Sequence, residues 1–185
     1  DFYEHSGTQL SNFPLTRERP LELARQLDTL ARKRESHLPA SLAARLPLSR
    51  AELDTHRAQA DVLFARMVAL QDELDWWSYR PYGLLDDDLT CGSKPPGIVP
   101  GQRAFEIVLA RRVAAGEVET KWFERHGSTP ITEVPSHWPA DYRALVERRI
   151  ALIESHPWIG LLERPEYKRR WNQPAWDDLE KSALR

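Results

Sequence analysis

The segment Glu163–Trp171, with the sequence ERPEYKRRW, is the part of this chain best suited to contacting an anion. Its nine residues include four cations, two carboxylates, a Tyr and a Trp. Three of the cations are arginines, whose planar guanidinium suits phosphates and base edges, and both rings offer stacking faces. The segment therefore predicts a nucleic-acid contact. Its candidate residues are Arg164, Tyr167, Lys168, Arg169, Arg170 and Trp171.

Two other interpretations of this segment stay open. A solvated helical face explains the charges, but it does not explain why Tyr167, Trp171 and Trp176 lie among them. Contact with a partner protein uses the same residue types as contact with nucleic acid. The residue types alone do not separate these two kinds of contact.

No other group of residues predicts catalysis or metal binding. The acidic run Asp86–Asp88 offers carboxylates to a hard cation but lacks the spacing of a calcium loop. The six histidines never fall at the spacing of a metal-binding helix. Cys91 has no identifiable base nearby, and Gly97 and Gly101 follow no strand that would make a phosphate loop. We therefore assign no catalytic, cofactor-binding or metal-binding residue to this chain.

The composition limits the partners of the chain. The formal net charge of −2 excludes a broadly cationic surface, so a nucleic-acid contact must be local. Cys91 is the only cysteine, which excludes an internal disulfide. No apolar run approaches the ~20 residues of a membrane span, so we expect a cytoplasmic protein without a membrane partner. Because the chain begins at Asp1 rather than Met, we expect a piece of a longer polypeptide.

The elements that must position the basic segment are helices, and the first two predict a long antiparallel hairpin. Apolar residues at a 3–4 spacing predict an amphipathic helix over Pro20–Glu35. Ser49 and Glu52 then form the pattern of a capping box at the start of a longer helix. That helix carries a seam of period 3.5, which is typical of coiled-coil-like packing. The seam residues are Leu53, His56, Ala60, Leu63, Met67, Leu70, Leu74 and Trp77.

The rest of the chain predicts a smaller lobe of short helices and loops. We divide the chain into an extended lead-in (1–19), the hairpin (20–85), a Pro- and Gly-rich linker (86–101) and the lobe (102–185). Within the lobe we expect helices over Gln102–Ala115, with Gly116 as its cap, over Glu117–His126 and over Pro139–Ser155. Ala175–Arg185 predicts a last helix that is cut short. The fold class is therefore mainly α.

Trp76 and Trp77 lie at the end of the hairpin seam, where two roles are open to them. They could stack on nucleic-acid bases, as aromatic platforms do. Large aromatic side chains also dominate the energetics of protein cores. Because the pair ends a packed seam, we favour core packing.

Three long stretches resemble one known family. ALQDELDWWSYRPYGL, AFEIVLARRVAAGEVETKWFERHGSTPITEVPSHWP and LIESHPWIGLLERPEYKRRW are similar to the late, non-catalytic part of the PglX-type adenine-specific DNA methyltransferases. These enzymes belong to bacteriophage exclusion (BREX) and phage growth limitation systems, and the chain resembles those of the second BREX type. The resemblance covers about Gln71 to Trp176. The opening GTQLSNFPL is more weakly similar to a segment that follows the catalytic domain in related large methyltransferases.

The resemblance implies a bacterial parent enzyme that methylates adenine in duplex DNA with S-adenosylmethionine as cofactor. The family's Asn-Pro-Pro-aromatic tetrapeptide and glycine-rich cofactor turn are missing here, since Asn12 and Asn172 stand in other contexts. No catalytic or cofactor residue can therefore be carried over to this chain. Its role is then a spacer that positions DNA, a module that docks other BREX proteins, or a scaffold that stabilises the enzyme.

Overall fold

A computed structural model describes residues 11–12, 14–43 and 47–183, and these residues are mainly helical, which confirms the predicted fold class. Most of the predicted lead-in, residues 1–10 and 13, lies outside them. Within this part of the chain there are eight α-helices and one 3₁₀ turn, Pro165–Tyr167, and no strand. The helices are α1 (Leu21–Glu35), α2 (Pro39–Leu42), α3 (Arg50–Tyr79), α4 (Ala104–Ala114), α5 (Trp122–Arg125), α6 (Ala140–Ser155), α7 (Pro157–Leu162) and α8 (Trp176–Ala183).

The predicted hairpin consists of α1 and α3. The capping box forms as expected, because Ser49 Oγ accepts from the Glu52 amide at 3.3 Å and Glu52 Oε2 accepts from the Ser49 amide at 2.8 Å. Leu63 and Leu70 of the seam are buried against Leu30 of α1. Near the connection between the helices, His37 Nδ1 and His56 Nδ1 are 2.9 Å apart. The pairing along the seam is therefore antiparallel.

The second half of α3 packs into a larger hydrophobic core together with the lobe. This core includes Val68 and Trp76 of α3, Phe105 of α4 and Ile150 of α6. Leu89 and Ile98, both in the predicted linker, are also buried in it, and the Ile98 amide donates to the Ala65 carbonyl at 3.0 Å. The division of the chain into spacer, linker and lobe stays a prediction. A single hydrophobic core contains residues from before, within and after the proposed linker.

The segment after α4 differs from the predicted helix over Glu117–His126. Gly116 adopts φ 72° and ends α4, as expected. Of the predicted helix that follows it, however, only Trp122–Arg125 is helical. The Thr120 hydroxyl accepts from the Trp122 amide at 3.1 Å just before this short helix, whose N-cap residue, Lys121, makes no side-chain capping bond. Residues 112–121 are all exposed, including Val113, so the chain between α4 and α5 lacks the burial that a longer helix would need.

A buried ion cluster joins α3 to α6. Arg149 of α6 is fully buried and donates to Asp72 Oδ2 at 2.9 Å and to Glu73 Oε1 at 2.8 Å. It also donates to the Leu89 carbonyl, while Glu73 Oε2 accepts from the Cys91 amide at 2.6 Å. Each charged group thus has a hydrogen-bonded partner of opposite charge. A buried guanidinium without such partners would cost several kcal/mol.

Burial also perturbs one of these carboxyls. It raises the pKa of Asp72 to about 7, and the nearby positive charge of Arg149 offsets this effect only in part. Asp72 Oδ1 has no hydrogen-bond partner among the described residues, so a donor stabilises only one of the two oxygens of this carboxyl.

Replacing Arg149 should be far more damaging than replacing its neighbour Arg148. We expect Arg149→Met to destabilise the protein by about 3–5 kcal/mol, because it leaves two buried carboxyls without their cation. Arg148 pairs with Asp87 on the exposed surface, so Arg148→Met should cost less than about 1 kcal/mol. Urea denaturation of both variants measures the difference. Equal and small losses would contradict a structural role for Arg149.

The raised pKa of Asp72 predicts a stability that depends on pH. Between its ordinary value of 3.8 and about 7, the folded protein holds a proton that the unfolded chain releases. The folded state is therefore favoured at the acidic end of this window and loses that advantage as the pH rises. Relative to Asp72→Asn, the wild type should lose up to about 1.4 kcal/mol of unfolding free energy per pH unit. Urea titrations at several pH values test this, and a constant difference would contradict it.

Candidate nucleic-acid interface

The basic segment follows two short helical elements that fix its direction. α7 begins at Pro157, and the His156 side chain caps it by accepting from the Ile159 amide at 3.3 Å. The 3₁₀ turn Pro165–Tyr167 follows, and residues 168–175 after it are not helical. Because the segment is not a regular helix, its side chains alternate between the core and the surface over short distances.

Lys168 faces the core. Its Nζ donates to Glu163 Oε1 at 2.7 Å and lies 2.8 Å from Asp75 Oδ2 of α3, and only 3% of its side chain is exposed. The Tyr79 hydroxyl donates to the same Glu163 oxygen. Burial opposes the positive charge, but the carboxylates of Glu163 and Asp75 outweigh it, so the pKa of Lys168 is raised. Lys168 is therefore a charged residue that joins α3 to the turn.

Trp171 also packs inward, with its ring edge-on to Phe64 at a centroid distance of 5.5 Å. Arg169 covers it from outside, since its guanidinium carbon lies 4.6 Å from the Trp171 ring centroid. Arg169 Nη1 donates to Gln71 Oε1 at 3.4 Å, and its backbone carbonyl accepts from Arg103 Nη1 at 3.0 Å. The Arg169 side chain itself remains exposed. It is thus held against α3 and the Trp171 ring with its outer edge in solvent.

Arg164, Tyr167 and Arg170 point into solvent, and Tyr167 is 64% exposed. Arg164 and Arg112 line a cavity of about 370 Å³ on one side of the turn. Arg170, Lys121 and Arg125 line one of about 190 Å³ on the other side. The two cavities share Thr120, Pro165 and Glu166, so they adjoin across the turn. We call the five basic side chains that line these two cavities the cationic surface: Arg112, Lys121, Arg125, Arg164 and Arg170.

Three members of the cationic surface lie outside the segment that the sequence predicts as a contact. Arg112 belongs to α4, Lys121 directly precedes α5, and Arg125 is the last residue of α5. The sequence KWFER contains a signal, because two cations there surround two aromatic residues. Acidic residues are interleaved, however, and the sequence does not reveal that this stretch lies beside residues 164–170.

A second buried ion pair fixes the elements that carry the cationic surface. Arg103 and Glu106 of the α4 start are buried and joined at 2.9 Å. Glu106 Oε1 also accepts from Trp122 Nε1 at 3.1 Å, and Glu106 Oε2 accepts from the Gly101 amide at 2.7 Å. Since Arg103 also holds the Arg169 carbonyl, one cluster fixes α4, α5 and the basic segment relative to one another.

Residues 67–185 match a family described as a domain of unknown function, DUF7008. The chain belongs to the DUF7008 family. The DUF7008 match begins in α3 and includes the turn, α5 and the whole cationic surface. Over 190 aligned residues, 100% of the chain is 49% identical to the adenine-specific methyltransferase PglX of Streptomyces coelicolor (strain ATCC BAA-471 / A3(2) / M145). The chain spans 16% of that relative's length. No solved structure matches the chain.

The described residues contain neither a candidate metal site nor a candidate membrane-spanning helix. No three His, Cys, Asp or Glu side chains converge there in a way that could hold a metal ion. None of the helices in the described ranges is both long enough and apolar enough to cross a bilayer.

The contrast between Lys168 and Lys121 can be measured by amine acetylation. We expect Lys168 to react most slowly of the five lysines, because it is buried and its raised pKa keeps it protonated. Lys121, Lys33, Lys94 and Lys181 are exposed and should react quickly. Mass spectrometry after brief treatment with an acetylating ester gives the order. Rapid modification of Lys168 in the folded protein would show that it is not part of the core.

Proposed function

We propose that this chain is a region of a bacterial, site-specific adenine DNA methyltransferase and that it positions DNA outside the catalytic domain. The observation that carries the parent assignment is the 49% identity over the whole chain to an adenine-specific methyltransferase. The DNA-positioning role is supported by the exposed cations Arg164, Arg169 and Arg170 and by the exposed ring of Tyr167. They project from an element that buried ion pairs hold in place.

In this proposal the chemistry belongs to other parts of the enzyme. The parent would transfer a methyl group from S-adenosylmethionine to adenine, in the bacterial cytoplasm, as part of an anti-phage system of the BREX type. This chain contributes no catalytic or cofactor residue that we can name. Its contribution is to hold the duplex in register while the target adenine leaves the base stack, since phosphate contacts set the position of a protein on DNA.

The shape of the described residues suits this role. α3 is 30 residues long, which corresponds to about 45 Å of helix at ~1.5 Å per residue. One half of it pairs with α1, and the other half is part of the core that carries the cationic surface. A helix fixed at both ends in this way can hold the basic segment at a set distance from the part of the enzyme that contacts the hairpin.

A second candidate function is docking of another BREX protein or scaffolding of the enzyme. Trp158 at the start of α7 favours it, because its side chain is 62% exposed and large exposed aromatic residues are frequent at protein interfaces. The net charge of −2 also favours a protein partner. Salt separates the two functions, since phosphate contacts weaken steeply with ionic strength while an apolar interface does not.

Reversing two exposed charges of the basic segment tests the DNA-positioning role. In the whole methyltransferase, Arg164→Glu with Arg169→Glu should weaken duplex binding roughly ten- to hundredfold at moderate salt. The slope of log affinity against log salt concentration should fall by the amount expected for about two phosphate contacts. Arg25→Glu with Arg57→Glu makes the same change in net charge on the exposed hairpin surface and serves as the control. Fluorescence anisotropy against a labelled duplex measures both. Equal affinities for the two variants would refute the role and favour partner docking.

A further inference from the structure

The cavity on the α5 side of the turn brings cations from two separate parts of the chain together. Lys121 and Arg125 come from the two ends of α5, and Arg170 comes from the basic segment. The cavity has a volume of about 190 Å³, which is enough for a phosphate group and several waters, since one water occupies ~30 Å³ in the liquid. Its size and lining therefore suit a small anionic group better than a large ligand.

None of these three cations has an ion-pair partner within the part of the chain that the structure describes. Other basic residues of the chain are paired, such as Arg103 with Glu106 and Arg111 with Glu154. One carboxylate, Glu166, also lines the cavity. Three cations and one carboxylate leave a local excess of two positive charges in a concave site, where the field attracts an anion.

The frame around the cavity is fixed by buried contacts. Trp122, between Lys121 and Arg125 in the sequence, is 7% exposed and donates to Glu106. Its ring packs edge-on against His126 at a centroid distance of 4.1 Å. His126 Nδ1 is buried and has no hydrogen-bond partner among the described residues. Burial and the nearby charge of Arg170 lower the pKa of His126, which favours its neutral form.

We propose that Lys121, Arg125 and Arg170 form a cleft that binds one backbone phosphate of duplex DNA. This inference rests on the proposed function and extends it to α5, which lies outside the basic segment. The two guanidiniums can each present two donors to phosphate oxygens, and the lysine adds a point charge. Because phosphates carry no sequence information, the cleft would set the register of the duplex without choosing its sequence.

Neutral substitutions in the whole methyltransferase test the cleft directly. We expect Lys121→Gln with Arg125→Gln to weaken duplex binding about tenfold or more and to lower the salt dependence by one to two contacts. The loss should be the same for duplexes with and without the methylation site, because the contact is to the backbone. Arg25→Gln with Arg57→Gln is the matched control, and circular dichroism checks that each variant is folded.

Glu166→Gln provides a test in the opposite direction. Removing the one carboxylate of the cleft should tighten duplex binding several-fold and steepen the salt dependence, because the local positive charge rises by one. This variant decides the matter if the double variant fails to fold. Unchanged affinity for Glu166→Gln would then overturn the proposed cleft.

The outcomes separate this inference from the proposed function. If Arg164→Glu with Arg169→Glu weakens binding while Lys121→Gln with Arg125→Gln does not, the cleft is wrong and the DNA-positioning role stands. If neither pair changes affinity, both are wrong. If Lys121→Gln with Arg125→Gln abolishes binding of inorganic phosphate but leaves the duplex affinity unchanged, the cleft binds a free anion, and the assignment to DNA is overturned.

Discussion

The structure depends on charge that is buried between α3 and the lobe. Asp72, Glu73 and Asp75 lie within one turn of α3, and their cations Arg149 and Lys168 come from distant parts of the chain. Without the lobe, Asp72 and Glu73 would have no cation, and without α3, Arg149 would be a buried cation with no counter-charge. Breaking such a pair is costly, so the second half of α3 and the lobe stabilise each other. The same interactions fix where the basic segment leaves the core.

The basic residues are divided between two tasks. Arg149, Arg103 and Lys168 are buried, and each is held by a carboxylate within 3 Å. The five cations of the cationic surface are free of ion pairs in the described ranges and lie on both sides of one turn. A modest net charge of −2 is therefore compatible with a local basic site. In our proposal the buried cations supply rigidity, and the exposed cations supply affinity for phosphate.

Local signals predicted the five longer helices, α1, α3, α4, α6 and α8, but neither α2, α7 nor the short extent of α5, and they carried no information on long-range pairing. The capping box at Ser49 and the glycine at Gly116 depend on neighbouring residues and could be predicted from the sequence. The pair formed by Asp72 and Arg149 joins residues 77 positions apart. In the sequence of α3 alone, Asp72 cannot be distinguished from a solvent-exposed acidic residue. Lys168 and Arg170 could not be distinguished, because which of them turns inward depends on Glu163 and on the 3₁₀ turn before it. For the same reason, the sequence did not indicate that Lys121 and Arg125 lie beside Arg170, and only the tertiary structure shows it.

In our proposal, duplex DNA lies against the turn Pro165–Tyr167 and the α5 region. Photo-crosslinking of the whole methyltransferase to a duplex, followed by mass spectrometry of the attached peptides, tests it most directly. Our account predicts crosslinks to peptides that contain residues 117–126 and 163–171, and it predicts fewer of them as salt increases. Crosslinks elsewhere in the enzyme but none in these two peptides would contradict the account and would assign this region to protein contact or scaffolding.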